Sequence, residues 1–195
     1  MRYVYCVFII FIFVKTAYPQ QDALPFRTTQ KFSFSVHQPF FTGNNVYAEH
    51  HDESIGYVAK AGFSLEKDFW VDIRFSQFLS KITDKLVINS TSTNFKMFGM
   101  QFSYDWEPFN RLHFLPLIYY EGIIAKNQGR FSGHEGGLGL ELEYYVMKDW
   151  YFFVGGQYSK LFLNISAPSD IEKEFSRGQF FSFYIGTGSI LWNRY

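Results

Sequence analysis

Residues 138–154, LGLELEYYVMKDWYFFV, hold the pattern that decides the fold of this chain. Leucine stands at every second position from 138 to 142, with glycine or glutamate between. Successive side chains of a β-strand point to opposite faces, so this alternation predicts a strand with one apolar and one polar face. Lys148-Asp149 interrupts the pattern, which resumes from Trp150. The segment therefore predicts two antiparallel strands joined by a tight turn.

The same alternation recurs along the chain and predicts eight strands. They lie at about residues 30–37, 55–65, 71–76, 95–105, 112–121, 138–146, 152–159 and 179–193. The connections near 66–69, 105–110 and 147–149 are short, and those near 38–53, 77–93, 125–134 and 161–177 are longer and more polar. An even strand count with turns short at one end and long at the other is typical of outer-membrane barrels. We therefore predict an all-β, eight-stranded antiparallel transmembrane up-and-down β-barrel.

Composition agrees with a wall that faces lipid. The chain has 195 residues, enough for one domain, and 22% of them are aromatic whereas only 18% are charged. One soluble core would have difficulty burying so many rings, and a lipid-facing surface would take up the excess. The formal net charge is zero, which gives no indication of a nucleic-acid partner.

The first twenty residues read as a secretory signal peptide. A basic start at Met1-Arg2 precedes an apolar run over residues 3–14 and a small or polar exit. The run is too short for a membrane-spanning helix, which needs about 20 residues. We expect cleavage between residues 17 and 21, which leaves residues 21–195 as the barrel. The single cysteine, Cys6, would be removed with the signal, so no disulfide is expected.

The tryptophans repeat in phase with the strand pairs. Trp70, Trp106, Trp150 and Trp192 are separated by 36, 44 and 42 residues. About 40 residues suffice for two strands and one long loop, so each tryptophan would return to the same end of the barrel. Amphipathic rings settle at the headgroup level of a membrane. We predict an interface girdle of these four tryptophans and Tyr195 at the short-turn end.

The polar faces predict the content of the barrel. If they point inward, the lumen collects Lys60, Asp72, Arg74, Gln101, His113, Glu121, Glu141 and Glu143. An eight-stranded barrel is just wide enough for side chains to fill it, and charges in such a space need partners. We therefore expect a paired polar network that plugs the lumen. A narrow pore gated by exchange of salt-bridge partners is the alternative.

The chain resembles known membrane barrels. Residues 136–152, a glycine-rich strand that runs through a tyrosine pair into a Lys-Asp-aromatic turn, are similar to the outer-membrane β-barrel or porin-like proteins of Bacteroidetes and, more broadly, to OmpA and OmpX. The ending Trp192-Asn193-Arg194-Tyr195 resembles the C-terminal strand that the outer-membrane assembly machinery reads, with Tyr where Phe is usual. The resemblance implies a bacterial outer-membrane location, with outer-membrane lipid or lipopolysaccharide as surroundings.

Two other functions have some support in the sequence. A secreted lipocalin-like barrel that binds an apolar ligand would turn its leucine face inward, although its Gly-x-Trp signature is missing. A lipid A-modifying acyl hydrolase could use Ser132, His134 and Glu135, but the His-x-Ser order of the deacylases is absent, and so is a Gly-x-Ser-x-Gly elbow. We expect no enzyme activity, cofactor or metal site, and we interpret residues 50–53 as a solvated loop.

Aromatic residues in the predicted long loops suggest a surface ligand. They are Phe40, Phe41, Tyr47, Phe131 and Phe162. Exposed rings could contact another cell, a host protein or a polysaccharide. A structural or adhesive role is therefore the predicted function.

Overall fold

The computed structural model describes residues 29–66, 68–83, 90–127, 129–165 and 176–191. The elements are β1 (Gln30–Phe41), α1 (Val46–His50), β2 (His51–Glu66), β3 (Phe69–Ile82), β4 (Ser92–Tyr104), β5 (Trp106–Phe109), β6 (Leu112–Lys126), β7 (Arg130–Met147), β8 (Trp150–Asn164) and β9 (Arg177–Leu191). The predicted signal peptide, Trp192 and Tyr195 lie outside the described residues.

Eight of these strands close into an antiparallel barrel. Strands that follow one another along the chain pair side by side, β1 pairs with β9, and β4 pairs with β6. The short β5 lies in the turn before β6 and pairs with its first residues. The prediction of an all-β, eight-stranded antiparallel up-and-down barrel is confirmed.

The strands are staggered around the barrel. Successive pairing partners are Lys31, Gly62, Asp72, Gln101, Tyr119, Gly137, Ser159, Phe180 and finally Phe41. One circuit thus returns to β1 ten residues beyond its start. Such a stagger requires tilted strands. Side chains at one height in the lumen therefore come from different positions of the pairing register.

From the short turns to the middle of the barrel, most apolar side chains point outward and most polar ones point inward. On β7, Leu138 is 61% exposed and Leu140 is 46% exposed, whereas Glu141 and Glu143 are buried. The other strands alternate in the same sense. A lipocalin-like barrel needs the reverse arrangement, with its apolar face inside, so the structure contradicts that alternative.

The predicted long loops are shorter than the sequence suggested. The segment 125–134 is the clearest error, because β6 and β7 pair as far as Lys126↔Arg130 and only residues 127–129 join them. Polar residues and glycines in this segment looked like a loop, but their side chains continue the alternation of the two strands. Strands that extend beyond an apolar band need no apolar outer face.

A short helix follows β1 and folds over the barrel end. Asn45 caps it, since its Oδ1 accepts hydrogen bonds from the backbone N–H groups of Tyr47 and Ala48, both at 3.1 Å. The cap side chain also donates to the carbonyl of Thr42 at 2.8 Å. These bonds turn the Tyr47 ring toward the barrel interior, where it is buried. Among the described residues, no helix has the length and apolar character needed to cross a bilayer.

Two inward glycines make room for tyrosine rings on neighbouring strands. A Cβ at Gly155 would lie 2.3 Å from the Tyr184 ring, and one at Gly188 would lie 2.3 Å from the Tyr151 ring. No side chain fits at these distances. The rings therefore lie over bare backbone and fill the narrow lumen.

The face assignment predicts a stability change that depends on depth. Leu140→Arg places a charge near the middle of the outer apolar wall and should lower the free energy of unfolding by about 2–4 kcal/mol. Val146→Arg, on the same face close to the turn, should cost about 0–1 kcal/mol. Urea unfolding of the protein in lipid vesicles measures both. Equal costs for the two variants would contradict the assignment.

Candidate functional site

The lumen contains a stack of paired polar side chains, which begins near the short turns. Lys31 Nζ lies 2.6 Å from Glu143 Oε1, and both residues are buried. The Tyr145 hydroxyl donates to the other carboxylate oxygen at 3.1 Å. The ammonium also lies 5.0 Å from the Trp70 ring centroid and 5.4 Å from that of Tyr151. One buried cation is thus held by a carboxylate and two aromatic faces.

A second ion pair lies next to the first, on its long-loop side. Lys60 Nζ donates to both oxygens of Glu141, at 3.0 and 2.7 Å, and lies 4.9 Å from the Phe153 ring centroid. Asp72 accepts a hydrogen bond from Gln101 Nε2 at 3.2 Å at a neighbouring position. Because these groups are buried, losing one partner would leave the other charge buried and uncompensated.

Arg74 occupies the middle of the lumen. Its Nη1 donates to Gln157 Oε1 at 2.9 Å and to Gln101 Oε1 at 3.3 Å. Its Nε lies 3.4 Å from Glu121 Oε1, and its guanidinium lies over the Tyr119 ring at 4.2 Å. The planar guanidinium therefore links strands on opposite sides of the barrel.

Glu121 and Glu135 end the polar stack. They face each other across the β6–β7 pair. Glu121 accepts from Ser76 Oγ at 3.2 Å, and Glu135 accepts from the Tyr119 hydroxyl at 2.7 Å. Each carboxyl thus has its own hydrogen-bond donor, and Arg74 lies beside Glu121.

An apolar plug closes the lumen on the long-loop side. We define it by the buried residues Tyr47, Phe78, Phe95, Met97, Ile123, Ala125, Leu161, Leu163 and Phe180, with Phe41 and Phe131 packed against them. The rings of Phe78 and Phe95 stack at 4.6 Å, and Phe41 meets Phe180 at 5.7 Å. Burial raises the pKa of the Tyr47 phenol above its usual range, so this ring stays neutral. The barrel is thus filled by a polar zone and an apolar zone, one above the other.

The eight residues predicted for the lumen all point inward. Seven are buried: Lys60, Asp72, Arg74, Gln101, Glu121, Glu141 and Glu143. His113 is partly exposed at the short-turn rim, where its Nδ1 lies 2.7 Å from Asp105 Oδ1. The predicted lumen set missed Lys31, which stands on the polar face of the first run, and Glu135, which lies between the predicted loop 125–134 and the predicted strand 138–146. Lys31 lies within the predicted strand 30–37 and needed only to be included with its polar face, whereas Glu135 would have been found by continuing the alternation back from residue 138.

The predicted girdle needs a correction at Trp70. Trp106 and Trp150 point outward and are 57% and 45% exposed. Trp70 is only 5% exposed, because it shares the inward face of β3 with Asp72 and packs against Lys31. The sequence already indicated this inward direction, because Trp70 stands two residues before Asp72 and so belongs to the same face of the strand. The spacing between the tryptophans indicated the end of the barrel at which they lie, but not whether each side chain points outward or inward.

Three of the rings predicted to bind a surface ligand are interior. Phe41 and Tyr47 belong to the plug, where their rings stack at 5.5 Å, and Phe131 packs against the same cluster. Phe40 and Phe162 remain on the outer wall and are exposed. The prediction that all five rings form an aromatic surface on the loops is therefore wrong. The inward-pointing rings instead fill the mouth of the barrel.

The catalytic and metal alternatives depend on residues near the long-loop end. Ser132 and His134 lie on the outward face of β7, whereas Glu135 points into the lumen and is buried. The acid therefore lies on the opposite side of the wall from the other two. In the described part of the chain, no three His, Cys, Asp or Glu residues are grouped so as to hold a metal ion.

Comparison with known proteins gives structural relatives only. No protein-family model matches the chain, and no curated protein matches its sequence. The Neisserial surface protein A structure is similar with a TM-score of 0.59 and 9% identity, over 84% of this chain and 96% of that one. OprG from Pseudomonas aeruginosa gives 0.55 and 8%, over 85% and 96%.

A third similar structure is that of Ail, the attachment invasion locus protein of Yersinia pestis, in complex with the heparin analogue sucrose octasulfate. Its TM-score is 0.55 at 12% identity, over 85% of this chain and 100% of that one. Identities this low show a shared fold and nothing finer. The chain has the fold of the eight-stranded outer-membrane β-barrels.

The buried ion pairs predict a large cost for breaking one of them. Lys60→Met leaves Glu141 buried without its cation and should lower the free energy of unfolding by about 3–5 kcal/mol. Lys60→Met combined with Glu141→Leu should recover most of this loss, since both charges are then gone. The exposed Lys126→Met is the control, with a change within about 0.5 kcal/mol. A Lys60→Met protein as stable as this control would rule out the pair as a structural element.

Proposed function

We propose that this protein is an integral protein of a bacterial outer membrane that acts through its surfaces, with a structural or surface-binding role. Its outer wall supports the location. Exposed apolar residues cover the wall all round, among them Phe32, Phe34, Val36, Ile73, Phe75, Met100, Phe102, Ile118, Leu138, Leu140, Phe152, Val154, Phe183 and Ile185. Trp106 and Trp150 border this band at the short-turn end, as interface aromatics do.

Closure of the sheet supports the same conclusion. Unpaired backbone groups are costly in hydrocarbon, and a closed barrel has no unpaired edge. A soluble protein with so much outward apolar surface would aggregate. We also propose that the protein is of the OmpA/OmpX-like or Bacteroidetes type that its sequence resembles. Recognition of the C-terminal strand by the assembly machinery remains a prediction.

The filled lumen supports a role without transport. Ions would have to break the pairs at Lys31, Lys60 and Arg74 and then pass the stacked Phe78 and Phe95 rings. These two barriers are of different chemistry, so no single change of charge opens both. This two-zone filling is the observation on which the proposal depends most. A gated pore remains the second candidate, because salt-bridge exchange could open the polar zone.

The location and the closed lumen are tested together. We expect the protein to partition into the detergent phase, to migrate differently on a gel before and after boiling, and to give no unitary currents in planar bilayers. A variant with Arg74, Phe78 and Phe95 all changed to alanine thins both zones and controls for the sensitivity of the recording. Recovery in the aqueous phase would refute the membrane location. Steady wild-type currents at any pH or voltage would favour the pore.

We further propose that the protein is not an enzyme. The outward Ser132 and His134 have Glu135 on the wrong side of the wall. His134 is stacked between Tyr120 and Phe162, at 5.8 and 5.2 Å, which gives its ring a packing role. A relay of the Ser-His-acid type needs all three side chains on one side.

A basic collar at the long-loop end supports surface binding. Six basic side chains are exposed there among the described residues: Lys81, Lys96, Lys126, Arg130, Lys160 and Arg177. Among the side chains described at this end, the exposed acidic ones are Glu49 and Asp52, while acidic residues predominate near the short turns. Positive potential attracts polyanions. We propose an anionic polysaccharide as the partner, and the Ail complex with a sulfated sugar is a precedent in a protein of this fold.

The collar predicts salt-dependent binding to immobilised heparin, used as a probe. Changing Lys126, Arg130 and Arg177 together to glutamine should weaken retention at least tenfold at low salt, because each neutralised cation removes part of the attraction. Arg111→Gln with Lys148→Gln, at the opposite end, is the matched control. Equal retention of the two variants would contradict binding at the collar.

A further inference from the structure

The turn between β4 and β6, at the short-turn end of the barrel, is held by few backbone bonds. Its strand β5 pairs with β6 at two positions, and a register irregularity separates them, where Pro108 has no N–H to donate. Arg111 has a φ of 70°, in the left-handed region that is unfavourable for a residue with a long side chain. One backbone bond ties each end of the turn, from the Asp105 N–H to Asp68 and from the Tyr145 N–H to Arg111. Side-chain contacts therefore decide how firmly β5 is held.

The side chain of His113 faces two carboxylates of this turn. Its Nδ1 lies 2.7 Å from Asp105 Oδ1, and its Nε2 lies 3.9 Å from Glu107 Oε1. The His113 side chain is 17% exposed, so water can reach it. A protonated imidazole has an N–H on both nitrogens and a positive charge, whereas a neutral ring has one N–H and no charge. The attraction between His113 and the turn therefore depends on one proton.

The other neighbours of His113 connect it to the end of the polar stack. Its ring packs against Tyr145 of β7 at a centroid distance of 4.5 Å. The Tyr145 hydroxyl donates to Glu143 at 3.1 Å, and Glu143 is paired with Lys31 of β1. Arg111, two residues before His113, is exposed. The carboxylates whose charges act on the ring are those of Asp105, Glu107 and Glu143.

These acidic neighbours favour the charged form of the ring. Burial lowers the pKa of His113, but the hydrogen bond and charge of Asp105, together with the charges of Glu107 and Glu143, outweigh burial and raise the pKa above its ordinary value. A group whose pKa is higher in the folded protein adds stability that is complete below its unfolded pKa and is lost as the pH rises through the folded pKa. The hold on the turn is therefore firm in acid and weakens as the pH rises above the ordinary histidine range.

We propose that residues 105–111 form a proton-operated latch at the short-turn end of the lumen. With His113 charged, the latch is closed, because the ring binds the turn on one side and packs against Tyr145 on the other. When His113 loses its proton, Asp105 and Glu107 keep their negative charges without the cation between them, and the weakly paired β5 loosens from β6. The barrel wall stays closed, since β4 and β6 pair directly over ten successive positions. The latch does not depend on the surface ligand proposed above.

Hydrogen exchange of the detergent-solubilised protein tests the latch. Exchange is compared at about pH 5 and about pH 9, which bracket the titration of histidine, and is corrected for its intrinsic pH dependence. The amides of β5 should open about two- to fivefold more often at the higher pH, the effect of one partly exposed ion pair. In His113→Gln the same amides should open equally often at both pH values. Asp105→Asn should keep only part of the pH response, because Glu107 still faces the ring.

Two controls separate the latch from general effects of pH. His134→Gln removes a histidine that is stacked between two aromatic rings on the outer wall, and it should respond to pH as the wild type does. The amides of β3 are the internal reference and should open equally often at both pH values. A wild-type β5 that does not respond to pH, or a His113→Gln protein that still responds, would overturn the proposal. An equal response of β3 and β5 would also overturn it, because the whole barrel would then be titrating.

Discussion

The pairing of β1 with β9 closes the backbone hydrogen-bond ladder, and the other features of the barrel depend on that closure. Once no strand edge is left, the outer wall can be apolar around its whole circumference without exposing an unpaired backbone group. The same closure confines every inward side chain to a narrow interior. The two faces of each strand thus meet opposite requirements, and strict alternation is the pattern that satisfies both.

The narrow interior explains why the lumen is filled in two zones. Near the short turns, each lysine has a carboxylate and an aromatic face, since a buried charge without such partners would be strongly destabilising. Near the long loops, the stagger brings rings from β1, β3, β4 and β9 to one level, and α1 adds Tyr47 from above. Glycines at Gly155 and Gly188 leave the space that the remaining rings need. Because the lumen is filled, the protein contacts other molecules through its outer surfaces.

Alternation alone predicted the strand count, the faces and most of the lumen residues. The prediction was wrong where another sequence pattern, such as loop-like composition or tryptophan spacing, was given more weight than the alternation. Polar residues and glycines made 125–134 look like a loop, although strands outside an apolar band have no need of apolar outer faces. Tryptophan spacing suggested an interface position for Trp70, but its place two residues before Asp72 put it inside. Phe41 and Tyr47 looked like loop aromatics because nothing local indicates that a barrel mouth must be filled.

What the sequence determined by itself is local: the period of two, the turns, and the face to which each side chain belongs. These follow from the geometry of a single strand. Only the tertiary structure decided which inward groups meet, because that depends on the stagger of all eight strands. Lys60 and Glu141 are 81 residues apart in the sequence and meet only in the closed barrel. One strand cannot encode its register with another, so the ion pairs and the plug required the closed barrel.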